Sequence, residues 1–302
     1  MDTFTPQPVD NCYHVYSDGT RLAVLCNEDN DYVMMMNLIA VVAYYCCLHI
    51  LSLEVMTTHF HVVLRGDAKM VTKYVKEIKR LVVRHFRRDG MPERVINSIR
   101  IQADPILDNE ELRRKIIYVF RNCTEAGYPF LPEDYPWGPG VTYCHPIKSN
   151  PYRKVSGLTY REQCRLFRTR VKLPGDWEYD DKGMLVPGSY LDHTFLKEMV
   201  FLTPRQFIAF LNVKKRDLAE MEMADARPFM EQKKMGKLVK QVEQMSMNQF
   251  GTTVGRLPQA NKITLAFQLW EQDKTLTVKQ LHRLTRVNED VLRSILHIQK
   301  KP

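Results

Sequence analysis

The 302-residue sequence has 7 Cys but no CxxC pair. That absence excludes the usual paired-thiolate zinc module. An odd, dilute set, with Cys46 and Cys47 adjacent, excludes a small disulfide scaffold. Reduced thiols in a cytoplasm are the plain expectation. There is no helicase-like P-loop, no repeat with a period of about 20–50 residues and no low-complexity tract. Met1–Asp10 is polar, with two Pro and no basic n-region, so no signal peptide is expected. Tyr32–Leu53 lacks any formal charge and is long enough to cross a bilayer. It nevertheless contains Asn37, His49 and Ser52, is preceded by Glu28, Asp29 and Asp31, and has no Lys or Arg close on either side. A buried helix followed by a buried strand accounts for it, and no membrane partner is expected.

Hydrophobic residues make up 44% and charged residues 26%, enough for a real core, so wholesale disorder is excluded. The length suits two domains, or one with appendages. The formal net charge of +9 is uneven. Residues 1–68 hold only Arg21 and Arg65 against eight acids, whereas residues 69–100 hold ten basic residues against three acids. Residues 153–172 carry seven basic residues against Glu162, and residues 231–302 thirteen against six. Three basic blocks suggest a polyanion partner, although solvated helix faces also carry Lys and Arg.

Along the chain, Tyr13–Tyr16 reads as a strand ended by the turn residues Ser17-Asp18-Gly19. Asp31–Cys46 reads as a buried helix, and His49–Val55 and Thr58–Leu64 as strands joined tightly at Met56-Thr57 in an antiparallel hairpin. Lys69–Arg88 is an amphipathic helix with an apolar stripe of Met70, Tyr74, Ile78, Leu81 and Val82. Its basic side carries Lys73, Lys76, Lys79, Arg80, Arg84, Arg87 and Arg88. Val95–Ile101 reads as a strand, and Asp108–Glu125 as a helix opened by a variant capping box. This order predicts an α+β fold, a ferredoxin-like four-stranded antiparallel sheet with helices on one face. Pro129–Pro151 holds six of the 16 Pro and reads as a rigid connector. A basic stretch (Tyr160–Lys172), a turn-rich piece (Pro174–Ser189) and short helices to about Arg227 follow. The last 70 residues read as mostly helical. Val278–Leu284 and Glu289–His297 have helix-turn-helix spacing, without the Gly often found in the turn. The expected division is 1–140, 141–230 and 231–302.

His59-Phe60-His61 lies on a predicted strand, so both imidazoles point one way, about 6–7 Å apart at Cα, and can share a metal ion. Two unrelated half-buried histidines would look the same. On the Asp108–Glu125 helix, Leu112, Ile116, Phe120 and Cys123 form the apolar face, and Tyr118 lies nearly opposite, with Asn122 one turn on. A phenol beside an amide suits a site; a solvated tyrosine is the ordinary alternative.

Leu53–Leu64 (LEVMTTHFHVVL) resembles the "LMPNHVHLLL" strand of single-tyrosine HUH transposases. Tyr118–Tyr128 (YVFRNCTEAGY), followed by Pro132-Glu133-Asp134-Tyr135-Pro136-Trp137, resembles the "YIxLNPVRAGLVxxPEDWPWSS" segment of REP-associated tyrosine transposases. Thr58 stands where that family has Asn and Cys123 where it has Pro, and its "GxLWQ" segment is not evident. The resemblance implies a catalytic domain over 1–140 that cleaves and rejoins single-stranded or hairpin DNA. His59 and His61 would hold a divalent cation, Mg²⁺ or Mn²⁺, with Asn122 as third ligand. Tyr118 would attack the phosphate and form a 5′-phosphotyrosine link, its phenol activated by the metal, Lys115 or Arg114. Phosphate contacts would come from the basic helix and from Arg161, Arg165, Arg168 and Arg170. Tyr160 and Phe167, interleaved with those arginines, suit stacking on unpaired bases, although a solvated helix with Leu166 and Phe167 on its core side explains the stretch equally well. Arg286 and Arg293 mark a duplex contact if the C-terminal helix pair docks on DNA, and a plain helical cap is the alternative. A cytoplasmic, nucleoid-associated bacterial setting and a homodimer are compatible with the family. Two further readings stay open: a domesticated protein that binds DNA hairpins without cutting, and a replication-initiator or relaxase-like protein.

Overall fold

A computed structural model describes residues 11–18, 24–128, 130–140, 143, 152–195 and 235–296. The short helices expected towards Arg227, and most of the Pro-rich connector beyond Gly140, lie outside these residues. The first half runs β1 (Cys12–Ser17), α1 (Asp29–Tyr45), β2 (His49–Val55), β3 (Phe60–Arg65), α2 (Ala68–Arg88), α3 (Glu93–Ser98), β4 (Ile101–Ile106) and α4 (Asn109–Glu125). The strands form one antiparallel sheet in the order β2-β3-β1-β4, as expected for a ferredoxin-like α+β fold.

Strand alternation divides the sheet's side chains. Phe60, Val62 and Leu64 of β3, with Val15 of β1, enter the large core beneath α1 and α2. Val63, Leu51 and Cys12 point to the other face, where Leu112, Ile116 and Phe120 of α4 cover them. The expected helical layer is therefore α1 and α2, and α4 adds a cover on the opposite side. A register shift between Ile50 and Ser52 turns Leu51 towards α4 while Ile50 and Leu53 stay beneath α1 and α2.

The expected strand at Val95–Ile101 is corrected to a helical turn, α3, followed by β4. Val95, Ile96 and Ile99 are buried at helical spacing, and Glu93 opens the turn after Pro92. The true strand contains Pro105, which it tolerates because β4 is an edge strand.

Caps set the helix starts. Asp67 accepts from the Lys69 and Met70 N–H groups at 2.8 and 3.2 Å, and Asp108 accepts from Glu111 N–H at 2.7 Å. Such caps contribute about 1 kcal/mol each. The uncharged stretch from Tyr32 is α1 running into β2, with the chain reversing at Cys47 (φ 52°). Among the described residues no helix is long and apolar enough to cross a membrane.

Asn37, the polar residue in α1, binds the next segment. Its amide donates to the Gly183 carbonyl at 2.8 Å and accepts from Leu185 N–H at 2.7 Å. That segment holds β5 (Arg153–Lys154), α5 (Tyr160–Leu166) and β6 (Glu178–Tyr179), and packs Phe167, Trp177 and Leu185 against Ala40 and Val41 of α1. The C-terminal region forms α6 (Met235–Phe250), α7 (Gln259–Gln272), α8 (Val278–Thr285) and α9 (Glu289–Ile295). These helices share the large core with α1 and α2. Arg94 of α3 ties them down by pairing with Glu243 and donating to the Leu284 carbonyl at 2.8 Å. Arg286 takes the left-handed turn (φ 63°) between α8 and α9, a place where Gly is often found.

Candidate metal and nucleophile site

The β2–β3 connection positions His59. Met56 N–H donates to the His59 carbonyl at 2.7 Å, and Thr57 is held on several sides. Its carbonyl accepts from Leu25 and Cys26 N–H, its hydroxyl meets Tyr32 and Tyr128 at 2.7 Å, and its N–H donates to the Tyr128 hydroxyl at 3.0 Å. The Pro-Glu-Asp-Tyr-Pro-Trp tail braces the same place. Tyr135 donates to the Val55 carbonyl at 2.8 Å, the Trp137 carbonyl accepts from Val55 N–H, and Trp137 stacks on Tyr32. Such satisfied buried networks rigidify a site.

The structure brings the four expected residues together. The His59 and His61 rings lie 5.0 Å apart between centroids, nearly perpendicular. Asn122 Nδ2 is 3.1 Å from His59 Nε2. The Tyr118 ring lies 5.2 Å from His61, edge to face, and the residue is 37% exposed. Tyr118 and Asn122 stand one turn apart on α4, whose apolar face (Leu112, Ile116, Phe120 and Cys123) is fully buried.

Burial favours the neutral form of the His59 and His61 imidazoles. The His59 pKa falls to about 4 through desolvation, then the Arg283 charge. His61 falls to about 2 through desolvation, then His59, His14 and Lys115. Neutral imidazole is the ligand form for a metal. His59 Nδ1 bonds the Thr58 hydroxyl at 2.9 Å, leaving Nε2 towards Asn122. His61 Nε2 is buried without a hydrogen-bond partner. Two nitrogen donors and an amide whose oxygen can turn inward fit a divalent cation. The Tyr118 phenol is pushed up by desolvation, then by Glu125 and Glu54. The expected activation by Arg114 is not visible, since Arg114 bonds Glu110 at 2.8 Å on the surface. Lys115 acts on His14 and His61 instead.

Sequence reasoning missed His14, Tyr16, Glu54 and Arg283. His14 and Tyr16 alternate along β1 and face α4 beside His61, because Tyr16 pairs with His61 in register. Only the register reveals this. Glu54 faces His61 across the β2–β3 ladder. Arg283, from α8, is half-buried, and its charge reaches His59 and Tyr128.

The expected DNA contacts are dispersed. The α2 cations lie on the outer side of the helical layer, across the sheet from His61. Lys76, Lys79 and Arg84 are exposed. Lys73 caps the Tyr45 ring at 4.0 Å, and Arg80, Arg87 and Arg88 meet Glu77, Glu93 and Asp89. Arg161, Arg165, Arg168 and Arg170 are exposed on and after α5, where Phe167 is buried and Leu166 is not. Arg293 pairs with Glu289 at 3.6 Å, and Arg286 serves the α8–α9 turn. A separate cluster, Asp31, His85 and Asp89, joins α1 to the end of α2, with His85 Nε2 at 3.4 and 3.2 Å from the two carboxylates. It lies in the helical layer, and Asp31 Oδ2 there accepts from Asn27 and Glu28 N–H.

No family model and no curated protein matches the chain. Among solved structures, a REP-associated tyrosine transposase bound to a REP hairpin is similar over 47% of this chain and 85% of that one, at 17% identity and a TM-score of 0.34. At that TM-score the likeness is too slight to build on.

Proposed function

We propose that the protein is a metal-dependent transesterase of transposase type that cleaves and rejoins single-stranded or hairpin DNA. One observation carries the reading: Tyr118, exposed on a helix, stands against the His61 ring, which lies 5.0 Å from the His59 ring, while Asn122 meets His59 Nε2 and His61 Nε2 is buried without a partner. His59, His61 and Asn122 would hold the cation. Bound there, a divalent cation would supply positive charge to a nonbridging oxygen of the scissile phosphate. The Tyr118 hydroxyl oxygen bonds to phosphorus as the bond to the 3′ oxygen breaks. The phenol gives up its proton and the 3′ oxygen gains one, leaving a 5′-phosphotyrosine and a free 3′-OH. A second 3′-OH reverses the step without ATP, because the phosphodiester energy is kept in the new bond. Phenol suits both directions, as nucleophile and as leaving group, but its raised pKa requires that it be deprotonated as it attacks.

The test uses 5′- and 3′-labelled hairpin oligonucleotides with Mg²⁺ or Mn²⁺ on a denaturing gel. The expected result is a covalent protein–DNA band that retains the 5′-phosphate side and disappears in Tyr118→Phe, in His59→Ala and with chelator. Hairpin binding on a native gel with no covalent band under any metal would replace the reading with a non-cutting hairpin binder.

A further inference from the structure

Granting the cation site proposed above, we infer that His14 is a positioning residue that fixes His61 in the tautomer able to bind metal. His14 Nε2 lies 3.0 Å from His61 Nδ1, with both side chains buried. The two rings are 5.1 Å apart between centroids and only 16° from parallel, which suits the in-plane geometry of a hydrogen bond between ring nitrogens. Tyr16 lies beside both rings, its centroid 4.9 Å from His14 and 6.0 Å from His61, and the Tyr118 ring meets the His14 ring edge-on at 6.1 Å. His14 therefore has little freedom to swing away.

A hydrogen bond between two neutral imidazoles needs one N–H and one lone pair. If His61 donates from Nδ1, its Nε2 keeps a lone pair. That Nε2 atom is the buried one with no partner. If His14 donates instead, His61 carries its proton on Nε2, where it blocks a metal; either arrangement leaves one buried N–H, on His14 Nδ1 or on His61 Nε2, without a partner, so the metal decides between them. A cation on Nε2 selects the first arrangement, and His14 then supplies the acceptor that it requires. His59 has the same plan, with its Nδ1 bonded to Thr58 and its Nε2 turned to Asn122. Each imidazole thus has its outer nitrogen tied by a neighbour, the usual means of orienting metal-bound histidine. The strand register makes this possible: Tyr16 pairs with His61, which sets His14 and His61 diagonally on the same face.

The experiment is Mn²⁺ binding, read by the loss of free-ion electron paramagnetic resonance signal, on the full chain without DNA. Wild type, His59→Ala, His14→Gln, His14→Asn and His14→Phe are compared, with near-ultraviolet circular dichroism to verify folding. Gln can place an acceptor near the His14 Nε2 position, while Asn is an amide too short to reach, so the pair separates hydrogen bonding from polarity. Affinity is expected to fall about 10- to 100-fold in His14→Asn and His14→Phe and to recover most of that in His14→Gln. Wild-type affinity in His14→Asn, or equal loss in Gln and Asn, would overturn the role of His14 alone. Wild type binding no better than His59→Ala would overturn the metal site itself, and the role of His14 with it.

Discussion

Replacing Glu54 by Gln is expected to change the pH dependence of stability in one direction only. Glu54 is 1% exposed, faces His61 across the β2–β3 ladder, and has Cys123 as its polar neighbour. Burial pushes its carboxyl well above the usual range, against the opposing hydrogen bonds with Cys123 and with the Glu125 charge adding to the rise. The folded chain therefore holds its proton to a higher pH than the unfolded chain, which releases it above about 4.5. A group with a raised folded pKa contributes its full stability below the unfolded value and loses it as the pH climbs. The loss is about 1.4 kcal/mol per pH unit for as long as the folded carboxyl stays protonated. Gln has nearly the same shape and does not titrate. Its own packing and its N–H groups add a constant offset, independent of pH. Every other titrating group is common to both proteins and largely cancels in the difference. Urea unfolding at pH 5.5 and 6.5 should show Glu54→Gln gaining on wild type between the two, by up to about 1.4 kcal/mol. A difference that stays flat, or that shrinks with rising pH, would mean that Glu54 is ionised in the fold. The site would then carry a negative charge beside His61.

The C-terminal helices provide two further tests. Arg94→Met leaves Glu243, whose side chain is only about a tenth exposed, without its cation and with the Val254 N–H still donating to it, and removes the bond to the Leu284 carbonyl. The expected cost is about 3–5 kcal/mol in urea unfolding, and a cost below about 1 kcal/mol would show that α6 is not held through this ion pair. Arg283→Gln removes the one cation that α8 turns towards His59. If that guanidinium meets a DNA phosphate, hairpin affinity falls and the slope of log affinity against log salt drops by about 1; an unchanged slope would confine Arg283 to a structural part.

Much of the fold could be read from the sequence because its signals are local. The alternation of His59, Phe60 and His61 identifies a strand, and the polar position of Tyr118 on an otherwise regular helical wheel marks it out. The Val95–Ile101 error arose where two periods overlap. Val95, Ile96 and Ile99 fit a helical turn and Ile99 to Ile101 begin a strand, so a short apolar run cannot be divided by period alone. The three-part division at 140 and 230 rested on composition, which does not record that Asn37 ties α1 to residues 183–185 or that Arg94 reaches Glu243.

The unread part of the site has a common cause. His14, Glu54 and Arg283 reach the His pair from β1, β2 and α8, and each depends on a register or a packing contact between distant segments. A one-residue slip of β1 against β3 would send His14 and Tyr16 into the core beneath α1 and α2 and bring Tyr13 and Val15 beside His61. Nothing in the sequence of β1 by itself forbids that. What opposes it is the pair of faces: Val15 is fully buried in the large core, while Cys12 packs beneath α4. The same apolar pattern that builds the sheet therefore sets which polar side chains meet His61. Substitutions at Val15 or Cys12 that loosen the β1 register should thus weaken the site through His14, without touching any of the four residues that the sequence singles out.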